Sequence, residues 1–119
     1  MKILLDTNFM MIPHQFGVDI FEFLKDYEIA TLSPCIEELK KLAKKKSDDG
    51  TAAKIALKLA KANKVRIIKA KDAADKAILE YALQEKCTVG TNDKDLIKAL
   101  KENDIKIIRL RQKRYLTEE

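Results

Sequence analysis

The stretch Ile3-Leu4-Leu5-Asp6-Thr7-Asn8 decides the fold. Three aliphatic residues without polar alternation stop at an acid, a hydroxyl and an amide, the pattern of a strand buried on both faces that delivers Asp6 to a sheet edge. In an open α/β sheet, ligands and chemistry collect where strands end and loops begin, so Asp6 is expected to face a cleft. Residues 88–91 repeat this logic: a short β-branched strand that stops at Asn92-Asp93.

Working outward, strand and helix signals alternate. Pro13 makes one helix through residues 7–12 and beyond unfavourable, and after Gly17 the spacing of Ile20, Phe23 and Leu24 predicts a helix over 18–24. Residues 29–32 form a second strand candidate. Ser33-Pro34 then reads as an N-cap and first-turn proline opening a helix with Ile36, Leu39, Leu42 and Ala43 inward. Residues 46–50 break that helix, and Thr51 can restart another to about 63. A third strand covers 65–68, and Asp72 is expected to cap a helix with Ala74, Ile78, Tyr81 and Ala82 inward. A helix over 94–102 and a strand over 105–110 precede a polar tail. Strands separated by helices imply a parallel sheet covered on both faces, a three-layer α/β class.

The 119 residues suit one domain, so a single unit over 1–119 with a short basic C-terminal tail is expected. Apolar residues at 46% beside 36% charged ones indicate a folded chain with a heavily charged surface. No apolar stretch approaches the ~20 residues of a membrane span, and the N-terminus has no signal-peptide blocks, so a cytoplasmic protein with no membrane partner is expected. Cys35 and Cys87 make neither a metal nor a redox spacing and read as reduced, packed thiols. Gly17, Gly50 and Gly90 lie too far apart for a phosphate-binding loop, and the lone His14 has no nucleophile pattern around it.

The net charge of +5 is unevenly spread. Residues 1–38 hold two basic and seven acidic groups, whereas residues 39–71 hold twelve and two. Lys40, Lys41, Lys44, Lys45 and Lys46 can form an ordinary solvated helix face, or a surface that attracts a polyanion through counterion release. Arg109, Arg111, Lys113 and Arg114, with Tyr115 beside them, form a second basic cluster that could clamp a backbone or stack a base.

The parallel topology places strand C-termini on one edge. Asp6 and Asp93 should converge there, with Glu38 in the first turns of the helix after the second strand and Asp75 in the first turn of the helix after the third. Each acid alone has a structural reading as a cap or a helix-dipole partner. Together, several ionised carboxylates repel one another unless a cation joins them. Hard oxygen donors suit Mg²⁺ or Mn²⁺ rather than zinc. An ion so held can polarise a phosphoryl oxygen and activate water against a phosphodiester.

These residues resemble the PIN domain family of metal-dependent nucleases, which includes VapC-type toxins and ribosomal RNA processing nucleases. The likeness lies in LLDTN at 4–8, ELKKL at 38–42, DKAILEYA at 75–82 and TVGTNDKDL at 88–96, which span most of the chain in the family's order. It implies that Asp6, Glu38, Asp75 and Asp93 are the catalytic, metal-binding acids, with Asp95 as an accessory ligand and Asn8 and Thr91 orienting the acids. The placement on Glu38 rather than Glu37 rests on the leucine that follows. The resemblance also implies a five-stranded parallel sheet and a homodimer as one arrangement.

KIIRLRQKRYL at 106–116 is similar to the branch related to the small-subunit ribosomal RNA processing nuclease. The expectation is therefore an endoribonuclease using Mg²⁺ or Mn²⁺ in ribosomal RNA processing, with RNA held by Lys40, Lys41, Lys44, Lys45, Arg109, Arg111, Lys113 and Arg114, and a ribosome-assembly protein as partner. The alternatives are a VapC-type toxin with an antitoxin partner, or a PIN-like module that binds RNA without cutting. A haloacid dehalogenase-type phosphatase would want an acid where Asn8 stands. A phosphoacceptor receiver would want paired acids after its first strand.

Overall fold

The computed structural model describes residues 1–119. Strand β1 (Lys2–Leu5) lies inside the sheet, hydrogen-bonded in parallel to β2 (Glu28–Leu32) on one side and β4 (Thr88–Gly90) on the other. Beyond β2 lies β3 (Arg66–Ile68), and beyond β4 lies β5 (Ile107–Arg111), both parallel to their neighbours. Ile3, Leu4 and Leu5 are completely buried, as an apolar run covered on both faces requires. They sit in a hydrophobic core of 31 buried residues that reaches every layer of the fold.

A sixth strand, β6 (Tyr115–Glu118), corrects the expected five-stranded sheet with a trailing polar tail. It pairs antiparallel with β5, giving the order β3-β2-β1-β4-β5-β6. The hairpin turn holds Gln112 at φ 52° and Lys113 at φ 56°, closed by Arg114 N–H donating to the Arg111 carbonyl at 3.0 Å. Two successive left-handed residues stand in this three-residue loop between Arg111 and Tyr115, a conformation that Asn-Gly adopts with far less strain than Gln-Lys. The turn carries no sequence signature, which is why the strand is hidden.

The first crossover consists of α1 (Thr7–Met10), α2 (Ile12–Phe16) and α3 (Ile20–Phe23). Pro13 occupies the first turn of α2, so the break falls at Met11. Helices α4 (Ser33–Ala43) and α5 (Asp48–Ala62) pack together, and α5 also meets α2. Helix α6 (Ala74–Glu85) packs on α7 (Lys94–Glu102), completing the three-layer α/β/α architecture.

Three expected caps differ. Ser33 does not cap α4: its hydroxyl accepts from Ala70 N–H at 3.0 Å and donates to the Ala70 carbonyl at 3.3 Å, fastening α4 to the chain after β3. Asp72 makes no cap on α6, lying instead 4.0 Å from Lys76. Helix α5 begins at Asp48 rather than Thr51, because the Ser47 hydroxyl accepts from Gly50 N–H. Gly50 is thus inside the helix, where a Cβ would lie 1.9 Å from the Lys45 carbonyl oxygen. Gly50→Ala should therefore cost ~2 kcal/mol or more as the turn between α4 and α5 is forced apart, read as a lower urea midpoint. An unchanged midpoint would show that this turn yields freely.

Candidate active site

The C-terminal ends of β1, β2, β4 and β5 lie side by side, with Leu5 opposite Thr31 and Gly90, and Gly90 opposite Ile108. Asp6 follows Leu5 directly, and its N–H donates to the Gly90 carbonyl at 3.1 Å. That close approach uses the missing side chain of Gly90, whose Cβ would meet Leu5 Cδ2 at 2.9 Å and Phe9 Cε2 at 3.0 Å. Asp6 is 6% exposed, an extreme position for an acid.

Two donors hold it. Phe9 N–H donates to Oδ1 at 2.8 Å, making Asp6 the N-cap of α1, and the Thr91 hydroxyl donates to Oδ2 in a short hydrogen bond. Thr91 Oγ1 also accepts from Asp93 N–H at 3.1 Å, so one hydroxyl sets the spacing of two acids. Asp93 in turn caps α7 by accepting from Leu96 N–H at 3.0 Å. Asn92 straps this loop to β5: its amide donates to the Leu110 carbonyl at 2.9 Å and accepts from Leu110 N–H at 2.7 Å.

Burial pushes the Asp6 carboxyl up to about 6; the bonds from Thr91 and Phe9 oppose this, and the negative charges of Asp93 and Asp75 add to it. Asp75, Asp93 and Asp95 line a shared pocket beside it, with Lys76 and Leu79. The structure therefore brings Asp6, Asp75 and Asp93 into one negative field, with Asp95 at its margin. No three acidic, histidine or cysteine side chains converge tightly enough to enclose an ion by themselves. Next to Asp6 in the chain, Thr7 Oγ1 is buried with no hydrogen-bond partner beyond the weak thiol of nearby Cys35.

Other expected residues fall differently. Glu38 and Glu37 are both exposed on α4, and Glu38, expected among the converging acids, does not line the pocket that Asp75, Asp93 and Asp95 share. Asn8 is exposed and lines a neighbouring pocket, while the orienting bonds to Asp6 come from Thr91 and the Phe9 backbone. Lys40, Lys41, Lys44 and Lys45 are exposed. They lie seven to twelve residues along α4 and its end, some ~10–18 Å from the acid edge at helical rise. Arg111 pairs with Glu119 at 2.9 Å and Arg109 lies 3.9 Å from the same carboxylate, while Lys113 and Arg114 are exposed in the hairpin turn. Lys101 Nζ donates to Glu119 at 2.8 Å, and chiefly this contact, with Arg111, holds the Glu119 carboxyl down at about 2. Cys35 and Cys87 are free and buried, and burial raises both thiols.

A family model described as a PIN like domain matches residues 3–113, and the chain belongs to that family. It is also similar to ribonuclease VapC4 of Methanocaldococcus jannaschii, 40% identical over 125 residues that cover 96% of this chain and 93% of that protein. Both findings support a nuclease. The relative is a VapC protein, so the likeness favours the toxin branch over the ribosomal RNA processing branch.

An acid held higher when folded, at about 6, than its ordinary 3.8 makes stability fall as pH rises between those values. Below pH 4 both states carry the proton and nothing is lost; above 6 the full cost of ~3 kcal/mol is present. Asp6→Asn removes that cost. In chelator, the variant should show a higher urea midpoint than wild type at pH 7.5, the gap closing below pH 4. A gap independent of pH would mean that the buried carboxylate is not what strains this edge.

Proposed function

We propose that the chain is a divalent-metal-dependent ribonuclease of the VapC toxin type, cutting RNA phosphodiester bonds and restrained by a cognate antitoxin. The observation that carries this reading is the buried Asp6 at the end of β1, set in the field of Asp75 and Asp93.

The donor set fits a hard divalent ion. All four acids at the edge offer carboxylate oxygens, and no histidine or free thiolate competes. Mg²⁺ and Mn²⁺ bind through one or two carboxylates with water completing the shell, which suits acids that do not enclose an ion unaided. Asp6, Asp75 and Asp93 would hold it, with Asp95 contributing from the margin. When bound, the ion supplies charge neutralisation for the acids, polarisation of the phosphoryl group and acidification of water.

The chain's own residues do the rest. Each oxygen of Asp6 spends one lone pair on the fold, to Phe9 or Thr91, and keeps one for the site. Asp93 is similarly half committed, to Leu96. Asp75 is exposed in the first turn of α6, and the fold donates no side-chain cap there, so its carboxylate oxygens remain open to the site. The lysines of α4 bind the strand by its phosphates. Glu38 is exposed on the same helix and would join the acids only if α4 or bound RNA carried it inward.

A role in ribosomal RNA processing with a ribosome-assembly partner is the weaker reading: the segment that suggested it forms a hairpin in which Arg111 is already paired.

Purified protein should cut single-stranded RNA with Mg²⁺ or Mn²⁺ and not with chelator. Asp6→Asn and Asp93→Asn should each lower kcat by ~100-fold or more. Wild-type activity in both variants would sink the assignment. Expression in cells should arrest growth, relieved by co-expressing the protein encoded beside it; growth unaffected by an active enzyme would remove the toxin reading and leave the nuclease.

A further inference from the structure

A second cavity of about 520 Å³ is lined by Asn92, the residue before the Asp93 that lines the acid pocket. Its lining places two side chains next in sequence to the acid edge: Asn8 is two residues from Asp6, and Asn92 adjoins Asp93. Phe16, at the end of α2, is 39% exposed although it borders this hollow, with Leu110 below it. Asn8, Gln15, Gln112 and Lys113 also line it, the Gln15 amide donating outward to Asp49 at 3.4 Å. The lining is therefore a flat apolar surface ringed by groups that both donate and accept hydrogen bonds, with one cation at the rim.

We infer that this cavity is a nucleobase subsite, which takes the base adjoining the scissile phosphate and stacks it on Phe16. The inference rests on the ribonuclease reading above and deepens it by assigning where the substrate's base goes. An exposed aromatic ring stacks on any base, because every base has a π-face. Amides read base edges without demanding one sign of charge. Lys113 then meets the phosphate that follows. The linings agree with this order, since Asn92 borders the cavity and the adjoining Asp93 borders the acid pocket.

The hairpin turn agrees. Gln112 and Lys113, the two residues it contributes to the cavity, are the two held at left-handed φ, where glycine or asparagine would sit more easily. Duplex RNA, with its bases stacked inside, cannot enter such a subsite, so the enzyme prefers unpaired segments.

The test is binding and cleavage of one single-stranded RNA decamer, intact or with one base at a time removed. Binding is measured in the Asp6→Asn background, and cleavage in wild type with Mn²⁺. Removing one base next to the cut should weaken binding and raise KM by about 5- to 100-fold, the range of a lost stack, while the other positions matter less. Phe16→Ala should reproduce that loss on the intact decamer and become indifferent to the missing base, while Phe23→Ala, an exposed aromatic away from the cavity, should not. Lys113→Gly relaxes the turn, and so should raise the thermal midpoint yet weaken decamer binding.

Cutting that continues with no dependence on any base or on Phe16 overturns the subsite and leaves the nuclease standing. Base-dependent binding that Phe16→Ala removes, in a protein that cuts nothing with any metal, upholds the subsite and defeats the catalytic reading. Unchanged RNA binding in both cavity variants assigns the hollow to a protein segment and overturns the inference.

Discussion

A carboxylate has been placed where the fold can least accommodate it. Asp6 follows three fully buried aliphatic residues on an inner strand, so it cannot move to solvent without unthreading β1 from both neighbours. Its surroundings are arranged around that constraint. Gly90 lets β4 approach, Thr91 and Phe9 N–H supply the hydrogen bonds, and the start of α1 offers the positive end of its dipoles. Those contacts hold the acid in place but do not neutralise it, since Asp75 and Asp93 add charge of the same sign. The fold thus keeps a buried carboxylate among like charges at a cost in stability.

Much of this was legible from local signals. The runs at 3–5 and 88–90 read as strands because buried parallel strands need no alternation, and α7 follows from its apolar spacing and the cap at Asp93. The break at Pro13 follows from its fixed geometry. Where sequence reading failed, the deciding partner lay far along the chain. Ser33 looks like a cap until Ala70, thirty-seven residues away, takes both its bonds. The β6 hairpin lacks a turn signature because Gln112 and Lys113 occupy conformations that their types seldom adopt. Glu38 carries no local mark of which way it faces.

The charge distribution shows the same limit. Composition marks the chain as basic, yet cations count toward a polyanion only if they are free. Glu119 engages Lys101 and Arg111, and lies near Arg109, so part of the C-terminal cluster is spoken for within the fold. The exposed lysines after Glu38 have no such constraint evident from their position, and they sit along one helix leading away from the acid edge.

The pairing of β1 with β4 bears on how the protein comes into being. The hydrogen bond between Thr91 and Asp6 spans 85 positions in the chain, and Asp93 lies further still. A growing polypeptide that has exposed only β1, β2 and their helices has one of the three acids and neither the glycine nor the hydroxyl that settle it. Such long-range contacts form late, after the loop between them has closed. During synthesis the acid cluster is therefore absent until most of the chain has emerged.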